Sequence, residues 1–337
     1  MTQLVTGATG LLGSHITDLL VARGERPRVL VRHDDHMNGL TGVTVDICWG
    51  DMKDRAALKE AVSGVDCVLH CAARTGPWGP EADYESTNVR GLKMLVELAM
   101  AAGVRRFVHV SSITVHGNST SGAVDETAPL RMEPNPYSRS KVAGERMLDL
   151  LIRERGAPVT IVRPGWIYGP RDAASFGRFA TMIQDGRMII VGSGKNHIPL
   201  IYVRDAAQGV VLASETDQAV GKSYLLVNDE LVTQHDYLRA IAAQLGVPPP
   251  KRHIPYHLAM LLGTATEMAG HLTHRQQSPP LTRFGIQLLG GDSRFIIRRA
   301  RQDLGFAPQV TLAEGVRQST EWYRSAYAAA PALMVTK

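Results

Sequence analysis

The feature that most restricts this chain lies at its start. Thr6-Gly7-Ala8-Thr9-Gly10-Leu11-Leu12-Gly13 joins a short apolar run, Leu4 to Thr6, to an amphipathic stretch carrying Leu12, Ile16, Leu19 and Leu20. Glycines spaced by three between a strand and a helix let the backbone turn tightly and bring amides towards an anion, and the helix N-terminus adds its dipole. The spacing alone is a weak signal, and its place at the head of a βαβ unit gives it weight. Gly7, Thr9, Gly10, Leu11, Leu12 and Gly13 are therefore expected to cradle a dinucleotide pyrophosphate.

The alternation continues downstream. Val29 to Val31, Val43 to Cys48, Val65 to His70, Phe107 to Val110 and Val159 to Val162 read as strands. Helical-period stretches lie at Leu11 to Arg23, Ala56 to Val62, Tyr84 to Ala101 and Tyr137 to Arg153. Strands alternating with helices predict an α/β fold, a doubly wound parallel sheet of Rossmann type, with a smaller C-terminal substrate lobe. The expected division is 1–170 with about 200–225 as the dinucleotide domain, 171–199 and 226–330 as the lobe, and 331–337 as a tail. Past Pro170 the pattern loosens into short strands such as Met188 to Val191 and Tyr224 to Val227, with helices starting near Thr233 and Leu312.

Pro248, Pro249 and Pro250 form a stiff connector into an apolar stretch, Ile254 to Gly270. Interrupted by Thr264 and Glu267, that stretch is too short and too polar for a membrane span, and the default expectation is a buried helix. The weaker alternative is an apolar face that lines a greasy pocket or touches a bilayer surface.

Composition excludes several function classes. The 44% hydrophobic and 20% charged residues suit a globular chain, and a net charge of +5 without a long basic block argues against nucleic acid. The cluster Arg298, Arg299 and Arg301 beside Asp303 reads as a solvated helix face. Three cysteines, Cys48, Cys67 and Cys71, are too few for a disulfide framework and lack a second metal-ligand pair, so no metal site is expected. With no basic, apolar leader before the first strand, the expected location is the cytoplasm. A homodimer stays open.

The end of the second strand selects between cofactors, because a carboxylate there binds a ribose 2′-hydroxyl and a cation favours a 2′-phosphate. Arg32 stands there and no acid falls within Val29 to His33. NADP(H) is therefore favoured, with Arg32 as partner of the phosphate and His33 as helper, while NAD(H) stays open. Asp51 and Met52 after the third strand, and Ala72 and Ala73 after the fourth, are further expected cofactor contacts.

Tyr137 and Lys141, spaced i and i+4, share one face of a helix. A phenol exchanges protons poorly near neutrality, its reference pKa being about 10, and a nearby ammonium favours the phenolate. Ser112, in Val110-Ser111-Ser112-Ile113-Thr114-Val115, follows an apolar strand and would sit at the carboxyl edge of the sheet, able to hold a carbonyl oxygen.

Together these motifs resemble the extended short-chain dehydrogenase/reductase superfamily, which includes NAD-dependent epimerases and dehydratases. The glycine turn, Ser86-Thr87-Asn88-Val89-Arg90-Gly91, the YxxxK pair, Arg163-Pro164-Gly165-Trp166-Ile167-Tyr168-Gly169-Pro170 and Tyr202-Val203-Arg204-Asp205 follow in the family's order over nearly the whole chain. The resemblance implies that Asn88 supports a proton relay, Ser112 orients substrate, Tyr137 acts as general acid or base, Lys141 also binds the nicotinamide ribose, and Pro164 borders the nicotinamide. Read from the residues alone, Asn88 could serve only the helix backbone and Pro164 only the strand end.

Within the superfamily, Ser112 to Val115, Arg163 to Pro170 and Pro199 to Val203 look most like 3β-hydroxysteroid dehydrogenases. Arg74-Thr75-Gly76-Pro77-Trp78-Gly79 and Pro280-Leu281-Thr282-Arg283-Phe284 look like bacterial long-chain 3-ketoacid reductases. Both relatives imply an apolar alcohol or ketone as substrate. Nucleotide-sugar enzymes of the superfamily usually place an arginine where Ile198 stands here, though His197 or Arg171 could substitute. An epimerase or dehydratase is the runner-up, and a non-catalytic dinucleotide sensor a minor alternative. Thr114, Trp78, Trp166, Tyr168 and His197 are candidate substrate contacts, Tyr168 first among the aromatics. Phe176, Phe179 and Met182 are weaker candidates.

Overall fold

Seven short apolar strands line up in one parallel sheet: β1 (Gln3–Thr6), β2 (Arg28–Val31), β3 (Asp46–Trp49), β4 (Cys67–His70), β5 (Arg106–Val110), β6 (Val159–Pro164) and β7 (Ser223–Leu226). This is the computed structural model, which describes residues 1–117 and 122–327. The order across the sheet is β7-β6-β5-β4-β1-β2-β3. Chain order reverses beside β1, so the connections leaving β1 and β4 part to opposite faces and open a crevice at the carboxyl edge, where ligands bind in such sheets.

Side chains alternate between faces, and each face is covered. Val5, Val29, Leu69 and Val108 point to one core, shared with Leu12, Ile16 and Leu20 of helix Leu11–Ala22 and with Ala206 and Val210 of helix Val203–Glu215. Leu4, Leu30, Val68 and Phe107 point to the other, shared with Leu58, Leu92, Leu95 and Leu148. Burial on both faces explains why these strands read as continuous apolar runs.

The strands begin and end within a few residues of expectation, with one physical exception. The run from Val43 was expected to be strand throughout, yet β3 starts only at Asp46 and leaves Val43 and Val45 packed on the core as loop. It is an edge strand, with Ile47 and Trp49 exposed. The helix expected from Tyr84 to Ala101 carries a π-helical segment, Glu85–Gly91, before it settles into Leu92–Ala101.

The second lobe gathers around Phe176, Ile183, Tyr168, Tyr202, Tyr237, Leu238 and Val316. Its helix Gln234–Leu245 starts where the sequence predicts, because Thr233 and Asp236 form a reciprocal capping box and Gly246 closes the other end in a left-handed conformation. The segment 295–306 does not stay with the lobe: Ile297, Ala300, Leu304 and Phe306 return to the sheet's core. The expected tail 331–337 lies outside the described residues.

The apolar stretch 254–270 departs from its default reading. It forms helix Tyr256–Leu272, but only Ala259, Gly263 and Gly270 within it are buried. Its leucines face outward because the helix packs through its small residues. No helix among the described residues is long and apolar enough to cross a membrane.

Candidate active site

The glycine turn is shaped by close approaches that no side chain could share. Gly7 has φ +68°, and a Cβ there would stand 2.7 Å from the Ala72 amide nitrogen. At Gly13 a Cβ would come within 2.2 Å of the Gly7 carbonyl oxygen. The first glycine thus lets β1 pass against the end of β4, and the third lets the helix start pack onto the turn. Gly10 caps helix Leu11–Ala22 without any side-chain acceptor, leaving its first amides directed at the crevice. Thr6 locks the far wall: its hydroxyl shares a hydrogen bond with His70 Nδ1 at 2.7 Å and accepts the Ala72 N–H at 3.2 Å. Burial, and then Lys141, hold the His70 imidazole down at about 3, so it is neutral.

These residues fit a dinucleotide. The turn and helix start suit the pyrophosphate, Ala72 and Ala73 offer half-buried small side chains beside it, and Pro164 ends β6 in register with Leu226 of β7. Met52 is buried, and Asp51 turns its carboxylate onto the Lys53 amide at 2.9 Å.

Arg32 is not a free cation. Its Nε donates to Asp35 Oδ1 at 3.1 Å, and its backbone N–H reaches Asp35 Oδ2 at 3.2 Å, the oxygen that also accepts from the Thr9 hydroxyl. Asp34 lies 3.7 Å from the same guanidinium. The absence of an acid from Val29 to His33 therefore does not leave this corner without a carboxylate, because the loop folds Asp35 back onto it. His33 stacks on Trp49 with ring centroids 5.1 Å apart.

The hydroxyls and the lysine come together at the edge of β5. Helix Pro136–Arg155 is fixed at its start by Asn135, whose side chain accepts from Ser138 N–H at 2.8 Å, with Pro136 in the first turn, and at its end by left-handed Gly156. That places Tyr137 and Lys141 one turn apart facing Ser112. Ser112 hydrogen-bonds the Tyr137 phenol. Thr114 donates its hydroxyl to Ser112 Oγ at 3.1 Å. Lys141 Nζ donates to the Val110 carbonyl at 2.8 Å and lies 5.9 Å from the Tyr137 ring centroid.

Burial raises the Tyr137 phenol above its usual range, and the Ser112 hydrogen bond partly opposes it. Burial also brings the Lys141 ammonium down to about 8, with Cys71 and Glu145 pulling the other way. The expected lowering of the phenol by Lys141 is thus not seen in this arrangement, where the ammonium is turned to a backbone carbonyl.

Sequence reasoning passed over the support beneath these groups. Glu145, one further turn along the same helix face, pairs with Arg163 at 2.7 Å, both all but fully buried, and accepts from Ser111. Its i+4 spacing from Lys141 was the available signal. Asn88 is a clamp: it accepts the Arg74 N–H at 2.8 Å and donates to the Arg74 carbonyl and to Ser140 Oγ. Tyr84 holds the same loop: its phenol oxygen lies 2.8 Å from both the Gly76 and the Trp78 carbonyls, which share its one proton. Across from it the Phe284 ring stands edge-on to Tyr137, with centroids 6.4 Å apart.

The remaining substrate candidates scatter. Tyr168 is sealed in the lobe's core, its ring against Tyr202 and Tyr237, so the first-ranked aromatic contact is a packing residue. Phe176 is equally buried, and Phe179 and Met182 pack against the same core. Trp166 packs edge-on to Phe179 and donates to Ser175 Oγ at 3.1 Å. His197 is held by Asp292 at 2.8 Å and Arg171 by Asp18 at 2.7 Å, and Ile198 is buried. Trp78 is half-buried, its ring tilted against His271 with centroids 4.3 Å apart and its indole N–H on the Arg275 carbonyl.

Comparison with known proteins agrees with this geometry. Residues 3–226 match the family model described as the NAD dependent epimerase/dehydratase family. The chain is 31% identical to the 2-alkyl-3-oxoalkanoate reductase of Stenotrophomonas maltophilia, covering 94% of this chain and 98% of that one. It is 32% identical to the sterol demethylase protein B of Methylococcus capsulatus, covering 96% and 98%. Among solved structures it is similar to a double mutant of DesIV, a dTDP-glucose 4,6-dehydratase of Streptomyces venezuelae with NAD bound, at 25% identity and a TM-score of 0.79, covering 98% of each chain. The glycine cradle, the Ser112, Tyr137 and Lys141 cluster and the match over the whole sheet together make this chain a member of the NAD dependent epimerase/dehydratase family, an extended short-chain dehydrogenase/reductase that works with a nicotinamide dinucleotide.

Proposed function

We propose that the protein interconverts a ketone and a secondary alcohol on an apolar substrate, with Tyr137 as the acid and base. The observation that carries this reading is the Phe284 ring set edge-on to Tyr137, which puts an apolar wall beside the one phenol able to exchange the substrate's proton. Ile198, where a sugar nucleotide needs a cation, is apolar and buried in the lobe, and the alternatives Arg171 and His197 are already engaged with Asp18 and Asp292. The names of the Stenotrophomonas and Methylococcus relatives point the same way.

When bound, the nicotinamide supplies or accepts the hydride. Ser112 Oγ, steadied by the Thr114 hydroxyl, donates to the carbonyl oxygen and orients it. Tyr137 gives its proton to that oxygen as negative charge develops, and the raised phenol keeps this proton in place at neutral pH. Lys141 holds positive charge beneath the phenol, and Asn88 keeps the Arg74 to Trp78 loop in position. In the oxidising direction Tyr137 must start as phenolate, so oxidation should gain with rising pH while reduction does not.

NADPH is the proposed preference, with Arg32 on the 2′-phosphate. Because Asp35 already occupies Arg32, the phosphate must displace a carboxylate, and the discrimination over NADH should be modest, about tenfold. Arg32→Ala is expected to erase it and Asp35→Ala to widen it, read from kcat/KM with each cofactor. A preference that ignores both changes removes the assignment.

The test of the substrate class is a panel of hydroxysteroids, aromatic ketones, 2-alkyl-3-keto acids and UDP-sugars, followed by nicotinamide absorbance and, for epimerisation, by product identity. Net turnover on the apolar ketones is the expected result. Epimerised UDP-sugar without net redox change would install the runner-up, and binding of cofactor with no turnover anywhere would leave a dinucleotide sensor.

A further inference from the structure

Helix Tyr256–Leu272 has two faces of opposite character. The inner face is small: a Cβ on Gly263 would come within 2.6 Å of Ile286 Cδ1, and one on Gly270 within 2.9 Å of the Trp78 ring. Thr266 donates to the Leu281 carbonyl at 2.6 Å, and the Glu267 carboxylate takes both the backbone N–H and the guanidinium of Arg283. Through these contacts the helix grips the Trp78 loop and the segment that carries Phe284, whose ring stands edge-on to Tyr137.

The outer face is apolar and bare. Leu258, Leu261, Leu262, Met268 and Leu272 make up five of the fourteen large hydrophobic side chains exposed among the described residues, with Leu261 at 65% and Leu272 at 79%. Ala265 and Ala269 fill the same stripe, at three- and four-residue spacing. Cations flank both ends: Lys251 and Arg252 before it and Arg275 after it, all exposed. The single acid from 251 to 275 is Glu267, and it is turned inward to Arg283.

We propose that this face docks on an anionic lipid bilayer. An in-plane helix buries its leucines at the acyl boundary while cations at both ends stay at the level of the phosphates. Seventeen residues rising about 1.5 Å each make a rod of about 25 Å, enough to lie along the interface. A second copy is the poorer occupant: a twofold contact through antiparallel helices would set the Lys251 and Arg252 end against the Arg275 end, cation against cation. Docked this way, the Trp78 and Phe284 side of the site adjoins the membrane. That an apolar substrate enters from the bilayer rests on the proposed function, whereas the docking does not.

The test uses the full chain with sedimenting vesicles of phosphatidylcholine, with and without phosphatidylglycerol. The protein is expected to sediment with the anionic vesicles, to lose most of that binding at high salt, and to lose about tenfold or more in the variant Leu261→Glu/Met268→Glu. Circular dichroism and turnover on a water-soluble short ketone should be unchanged in that variant. Protein that stays in the supernatant, or a variant that sediments as well as the parent, overturns the proposal. So does a concentration-dependent dimer that Leu261→Glu dissociates, which would assign the face to a second copy. Vesicle binding by a protein that reduces no ketone at all would leave the docking standing and sink the substrate reading instead.

Discussion

The two halves of the site are built in contrasting ways. Ser112, Tyr137 and Lys141 hang from a buried strand end and a capped twenty-residue helix, and beneath them Glu145 and Arg163 form an ion pair sealed from water. The proposed substrate side is assembled from a loop held by Tyr84 and Asn88, from the short segment around Phe284, and from a helix whose leucines face outward. Chemistry needs fixed distances, so it sits on the scaffold that is hardest to deform. A substrate's shape can vary, so the proposed substrate side is drawn from loops and short segments of two distant parts of the chain.

The widest break in that contrast comes from the phenol. Tyr137→Phe should lower kcat by about a thousandfold or more while leaving cofactor affinity within about twofold, measured by single-turnover absorbance and cofactor titration. A variant that retains substantial turnover would move the acid elsewhere. Next is the ion pair. Glu145→Gln leaves the Arg163 guanidinium buried without its counter-charge and should destabilise the fold by about 3–5 kcal/mol in urea unfolding. A loss below 1 kcal/mol would show that the catalytic half is not braced there.

Lys141→Met should abolish most turnover yet stabilise the protein by about 2 kcal/mol, since a buried ammonium is removed. The sign follows from the depressed folded value: with Lys141 at about 8 when folded and about 10.4 when unfolded, the penalty is complete below pH 8 and fades as pH rises between the two. The variant's advantage should therefore be largest at neutral pH and vanish near pH 10.5. An advantage independent of pH would trace it to repacking.

The smallest effect is expected on the substrate side. Tyr168→Phe removes a buried hydroxyl that has no partner among the described residues, so stability should hold or rise by up to about 1 kcal/mol with KM unchanged. A several-fold change in KM would return Tyr168 to the pocket.

What the sequence determined was local. Glycine spacing, the i and i+4 pair and the capping residues act over a few positions, and strand runs buried on both faces need no partner to be recognised, so the sheet, the cradle and the Ser112, Tyr137 and Lys141 cluster were legible. Tertiary structure decided whatever depends on two distant segments meeting. Asp35 folds back on Arg32 and tempers the cofactor choice, Phe284 arrives beside Tyr137 from the far lobe, and Tyr168 disappears into a core assembled by Tyr202 and Tyr237. Helix Tyr256–Leu272 shows the division best: its apolar residues predicted burial, but its glycines were the part that packed, because a close helix contact selects the smallest side chains and turns the largest away.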